Sequence, residues 1–294
     1  MLLITRFTLL EAIRRRLFLA VLVLSMVIVA AFATLLHLAI TASLHSPIGI
    51  AGGDGPNPQL YMLGEGVIIT VLSIWMVYLL SSTLTIVFSA NMISGEVEAG
   101  TFAVLVPKPL TRTSIVAGKW LGYALIVCFY TALMFLAFLA VIRWQTGYWP
   151  GDALYALGLL ELGMLALLGL TTLGSAMVPT IVNGAVALML FIGAPMASIA
   201  QFVVQILNPT SAQTVQTVTT VISLVIPTDA LWHGASYFLL PPSADFLTLG
   251  IPTGTFDTPF TSAQPIGPAL IIWAVVYCIA LPVLAAVRFQ HRDL

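Results

Sequence analysis

Six long apolar stretches, at about residues 17–42, 66–90, 116–142, 153–178, 184–206 and 268–288, dominate the chain, and the only carboxylate well inside any of them is Glu161. A bilayer's hydrocarbon core is about 30 Å thick and takes roughly 20 apolar residues in a helix, which satisfies its own backbone where water cannot. Each stretch meets that length. The expected fold class is an all-α polytopic membrane protein with six transmembrane helices in a single domain over 1–294. Pro195 and Pro282 interrupt the last two stretches, where kinks supported by neighbouring helices are expected. Of the 294 residues 60% are hydrophobic and 7% charged. A water-facing globule carries charge on about a quarter of its residues, so this chain cannot coat one. The first stretch follows Arg14-Arg15-Arg16 and carries Ala31-Phe32-Ala33, in imitation of a cleavable secretory signal. It runs on through Leu35, Leu36 and Ile40, too long for a signal core, and is read as a span.

Orientation follows from lysine and arginine in the short flanks. With the N-terminus inside, Arg6, Arg14, Arg15, Arg16, Lys108, Arg112, Lys119, Arg288 and Arg292 are all cytoplasmic or at that boundary, and only Arg143 is outside. Both termini are therefore expected in the cytoplasm, with the chain in a plasma or inner membrane. Before the first span, Leu3, Phe7, Leu10, Ile13 and Leu17 recur opposite Thr5, Thr8, Ala12, Arg15 and Arg16, which predicts an amphipathic interfacial helix over 2–16. The competing reading is a helical extension of the first span with snorkelling arginines. Of the external segments, 43–65 is rich in glycine and proline, 143–152 is short, and 207–267 is long enough to hold structure. In the last, Val215, Val218, Ile222 and Val225 alternate with Thr, Gln and Ser at helical spacing. This predicts an interfacial or re-entrant helix ending at Pro227 and a second short helix around 228–238, the loop as a whole serving as an outer gate or lid.

A net charge of −1 leaves no basic excess for nucleic acid. There is no Gly-x-x-x-x-Gly-Lys-Ser/Thr loop, since Gly118-Lys119 is followed by Trp120, and no Gly-x-Ser-x-Gly elbow. His37, His45, His233 and His291 lack metal-ligand spacing, and Cys128 and Cys278 sit in apolar stretches as small hydrophobes. No catalytic, cofactor-binding or metal residue is expected in this chain. Gly163, Gly169 and Gly174 share one span, where small residues allow close helix packing. Glu161 is a candidate by default, because a charge in hydrocarbon is expensive. Against a place on a translocation path stands the plainer reading of a hydrogen bond to a neighbouring helix. Glu65, at the outer start of the second span, is a weaker candidate, since a helix dipole favours a carboxylate there.

Between the second and third spans, the cytoplasmic loop at 91–115 carries distinctive chemistry: ISGEVEAGTFAVLVPKPLTRTSIVAGKWLG from Ile93 to Gly122. Gly95 and Gly100 permit conformations that would flank a short helix, Glu96 and Glu98 near its start suit the helix dipole, and Pro107 and Pro109 stop it. The result is a short, charged knob. Glu96 and Glu98 between two glycines, then Thr101, an apolar run, the two prolines, Arg112 and Gly118-Lys119, resemble the cytoplasmic loop of type-2 ABC (ATP-binding cassette) transporter permeases. The RFQHRDL ending and the six-span layout are similar to that family along nearly the whole chain. The resemblance implies a coupling helix over about 94–106, docking on a separate ATPase, with Gly95, Glu96, Glu98, Gly100, Thr101 and Arg112 as the coupling residues. It implies two ABC ATPase subunits that carry ATP and magnesium, a second permease, either a copy or a homologue, and surrounding membrane lipids. It further implies export along a path lined by the second and fifth spans; Glu161, in the fourth, and Glu65 are candidates for a path on their own charge and not from the resemblance. The plain alternative makes Glu96 and Glu98 solvated carboxylates and the basic residues ordinary positive-inside anchors. The rival functions are a non-transporting membrane scaffold with a permease-like fold, and a channel or secondary transporter.

Overall fold

The computed structural model describes residues 2–14, 16–45, 58–98, 112–207, 212–240, 258–262 and 264–290. Among these residues the chain is 89% helical, with short turns between helices, an isolated bridge between Thr258 and Thr261, and no strands. The helices are α1 (Leu2–Arg14), α2 (Arg16–His45), α3 (Pro58–Ser89), α4 (Ser94–Glu98) and α5 (Arg112–Thr146), followed by α6 (Ala153–Met177), α7 (Thr180–Leu207), α8 (Ala212–Val225), α9 (Thr228–Leu239) and α10 (Pro268–Gln290). Six of them, α2, α3, α5, α6, α7 and α10, are long and apolar enough to cross a membrane, with mean hydropathy of 2.0 to 2.8. Pro195 and Pro282 lie inside α7 and α10 without ending them.

Several helices run past the expected spans. The glycine- and proline-rich segment before the second span turns helical at Pro58, ahead of the predicted 66, with a proline at the first helical position where its missing N–H costs nothing. Glu65 is therefore inside α3 and not in its first turn, which removes the dipole argument made for it. Helix α7 begins at Thr180, ahead of the expected 184, because polar residues there find partners described below.

Helix α6 is the hub. Its three glycines each admit a different neighbour: a Cβ on Gly163 would touch Leu231 of α9 at 3.7 Å, one on Gly169 would touch Leu281 of α10 at 3.4 Å, and one on Gly174 would overlap Asn183 Oδ1 of α7. Small residues let helices approach where lipid provides no hydrophobic drive between them. Helices α2 and α7 lie at the periphery and leave broad apolar faces uncovered, including Leu19, Val23, Ile181 and Met189.

The N-terminal helix packs with its polar side inward. Thr5 and Thr8 are buried against the start of α5, where Thr5 Oγ1 donates to Gly118 O at 3.0 Å and the missing Cβ of Gly122 makes room for Thr8. Phe7, 63% exposed, and Leu10 point away from the protein. Helix α1 thus turns Thr5 and Thr8 to the bundle and Phe7 and Leu10 outward, an amphipathic arrangement. Its apolar side is left for lipid because small hydroxyls fit the helix groove better.

At the other end of the bundle, Gln145 Nε2 donates to Ala33 O at 2.7 Å, and Arg143 lies over the Trp149 ring at 5.6 Å. Tyr148 OH, which burial pushes up to about 12 and so keeps protonated, donates to Leu239 O at 2.7 Å. Helices α8 and α9 form a bent pair, with 100° between them. Trp273 Nε1 donates to Leu224 O at 2.9 Å and Tyr277 OH to Val225 O at 2.5 Å. Tyr277 is roughly 13 Å along α10 from its start at Pro268, at 1.5 Å per residue. Gly163, which faces Thr228 and Leu231, is about 15 Å along α6 from Ala153. The bend therefore sits about halfway along α6 and α10, and the pair dips into the bundle between them and α7.

Candidate functional site

The α3–α4 turn arrives at the end of the bundle where α6 finishes and α7 begins. The first N–H groups of a helix have no partner within it. Here a serine from another helix takes that role: Ser175 Oγ of α6 accepts Ile93 N–H at 2.8 Å and Ser94 N–H at 3.0 Å. Ser94 Oγ bridges onward to Thr180 Oγ1 at 2.7 Å. At the far end of α4, Glu98 Oε1 accepts the Thr180 N–H at 2.9 Å. A carboxylate on the first amide of α7 satisfies an orphan donor and faces the positive end of the helix dipole. The five-residue α4 thus holds the first residue of the fifth span from both of its ends.

More bonds close the arrangement. Asn183 Nδ2 of α7 donates to Ala90 O at 3.1 Å and to Thr171 O at 2.9 Å, in the space left by Gly174. Ser89 Oγ meets Thr171 Oγ1 at 2.5 Å. Lys119 Nζ of α5 donates to Met92 O at 3.0 Å, placing a cation at the carbonyl end of α3. Side-chain bonds join α6 and α7 to α4, α5 to the turn before it, and α3 to α6. Satisfied polar networks in a low-dielectric setting hold one geometry and penalise its loss. The arrangement performs no bond chemistry. It can carry displacement, since a push on α4 reaches α7 and α6 through short, directional links.

The predicted coupling residues divide. Gly95 is the second residue of α4 and not its flank; a Cβ there would stand 3.1 Å from Asn91 Cβ, so close approach and not a special backbone angle explains the glycine. Glu96 is the middle residue of α4, and Arg112 opens α5. Glu98 is exposed and caps α7. Gly100 and Thr101, with the rest of the predicted helix up to 106, lie outside the described residues. Glu161 is half-buried in α6, within electrostatic reach of Cys128 of α5, and stands apart from this cluster. Cys128 and Cys278 are free thiols. Sequence reasoning passed over Ser94, Ser175, Thr180 and Asn183. Serine and threonine in spans ordinarily bond their own i−4 carbonyl, so nothing in their spacing announces an interhelical role. Asn183, a polar amide at the head of an apolar span, was the available signal.

Residues 9–294 match the family described as ABC-2 family transporter protein. The chain belongs to that family. It is the multi-pass membrane permease subunit of an ABC transporter, and it associates with ATPase subunits. A comparison with curated proteins gives no match. In this ABC-2 permease the loop that carried the family resemblance is the one that α4 opens, and the side-chain cluster joins that loop to the spans.

Proposed function

We propose that this ABC-2 permease is half of the membrane pathway of an ATP-driven exporter, paired with a second permease, a copy or a homologue, above two ATPase subunits. Helix α4 is its coupling element. Both termini and α4 face the cytoplasm, in keeping with the lysine and arginine distribution. The single observation that carries the reading is the double hold of α4 on Thr180, through Ser94 Oγ and Glu98 Oε1. A docking knob that moved alone would do no work on the membrane. One that grips the first residue of a span passes its displacement to that span. ATP and magnesium are bound by the partner, and closure of the ATPase pair drives α4, tilts α7 and opens the path outward. The uncovered apolar faces of α2 and α7 are suited to lipid and to the second permease.

The test is purification from native membranes in mild detergent, followed by ATPase measurement with and without the permease. A co-purifying ATPase whose turnover rises when the permease is bound is the expected result. A permease that comes away with no ATPase, or one that leaves turnover unchanged, would favour the scaffold reading.

A further inference from the structure

The bent pair and α7 frame an open cavity of about 230 Å³ between α7, α8 and α9. Helix α8 is built for two different surroundings. Gln216, Thr219, Thr220 and Ser223, spaced i, i+3, i+4, i+7, line the cavity, while Val218, Val221 and Val225 on the opposite side are each at least half exposed. The apolar stripe points away from the bundle and the polar stripe lines the cavity, with Thr219 and Ser223 half-buried and Gln216 and Thr220 exposed at its mouth, so the cavity is polar. Thr219 Oγ1 donates to Gln201 Oε1 of α7 at 2.6 Å and ties the two walls together.

At the floor of this compartment lies Asp229, 6% exposed, one residue past the start of α9. Ser198 Oγ of α7 donates to its Oδ2 at 2.5 Å, and His233 Nε2 is 3.6 Å from the same oxygen. No lysine or arginine lines the cavity among the described residues. A buried carboxylate is costly without a cation, and intramembrane ionisable groups mark ligand and ion paths. The lining is rich in hydroxyl and amide oxygens able to accept hydrogen bonds. It lacks three acidic, thiol or imidazole groups that would hold a metal. The volume is below the roughly 300–1,000 Å³ of drug-sized pockets, which suits a compact head group.

We infer that this cavity binds a primary ammonium group, with Asp229 as counter-ion and the hydroxyl and amide oxygens of α7 and α8 as hydrogen-bond acceptors. Three N–H donors on one small cation match what the lining offers. As the cargo class of the exporter, this rests on the function proposed above; as a binding site it does not, and measuring it without ATP or any ATPase keeps the two apart.

The experiment is ¹⁹F NMR titration of the full-length permease in lipid nanodiscs with 4,4,4-trifluorobutylammonium, 4,4,4-trifluorobutanol and 4,4,4-trifluorobutyrate, against empty nanodiscs as blank. Saturable binding of the ammonium, at least tenfold tighter than the alcohol or the carboxylate, is expected in the unaltered protein and needs no variant. Asp229→Asn should lose at least tenfold for the ammonium, with Glu161→Gln unchanged and His233→Gln unchanged or tighter, since it removes a competing partner of the carboxylate. Equal binding of ammonium and alcohol, no saturable binding above empty nanodiscs, or an Asp229→Asn variant that still folds and binds as before would overturn the site.

Discussion

Ser175 accepts the amide protons of two consecutive residues across a helix interface, so its side chain does more than fill space. In Ser175→Ala both N–H groups are stranded in a buried setting, at a cost of about 1–3 kcal/mol. The expected result is a lower midpoint in thermal unfolding in detergent, together with weaker stimulation of the partner ATPase. Unfolding at the normal temperature would mean that water replaces the serine and that the link to α4 is soft. Gly174 is constrained for a different reason. Its absent Cβ is the room that Asn183 occupies while bonding Ala90 O and Thr171 O. Gly174→Ala forces that amide out, and overpacking of this kind costs about 1–3 kcal/mol. Combining it with Asn183→Ala should recover part of the loss in the same unfolding assay; a fully additive double variant would show that the two residues do not share the space. Thr5 and Thr8 carry a similar lesson, since hydroxyl-bearing side chains bury against α5 while Phe7 faces outward. In lipid, what a helix groove accepts is set by size and hydrogen bonding more than by hydropathy.

At the scale of elements, α4 is too short to be stable alone. A single turn fixes several dihedrals for few hydrogen bonds, and isolated helices below about 12 residues are marginal in water. Its shape is imposed by Ser175 at one end and by the Glu98–Thr180 bond at the other. On the proposed function, Glu96 in the middle of α4 is the residue that meets the partner ATPase. Glu96→Lys reverses its charge and should reduce co-purification of the ATPase or leave hydrolysis running without transport, whereas Glu98→Lys should also loosen α7. Normal stimulated turnover and normal transport with Glu96→Lys would remove Glu96 from the coupling surface. The bent pair is the second element whose form depends on its surroundings. Its bend reaches inward until Leu224 and Val225 offer their carbonyls to Trp273 and Tyr277, which supplies partners for backbone groups that hydrocarbon could not.

Across the whole molecule, the alternating course of the helices sets α4, the start of α5 and the junction of α6 with α7 at one end, and Arg143, Tyr148 and the open side of the bent pair at the other. A membrane-impermeant thiol reagent applied to sealed, right-side-out cells checks which end is which. Gly151→Cys is exposed, with nothing near its added Cβ, and should label from outside. Glu98→Cys should label only after the membrane is opened. The reverse pattern would invert the topology and with it the place assigned to the ATPase.

The six spans were legible from residue types alone, because burying a backbone in hydrocarbon demands a minimum run of apolar residues and tolerates almost no charge within it. The two short helices α8 and α9 were legible from helical spacing and Pro227, and a helical turn at Ser94–Glu98 from the residues around Glu96 and Glu98. What the sequence could not determine was which side chains meet. Asp229, placed by chain order in an outer loop, is buried against α7 by the inward fold of α8 and α9. Ser94, Ser175, Thr180 and Asn183, far apart along the chain, come together because α6 turns back into α7 beside the end of α3. Apolar run length is a local property that one segment satisfies by itself; a buried carboxylate or a cap borrowed from another helix exists only once the helices have packed.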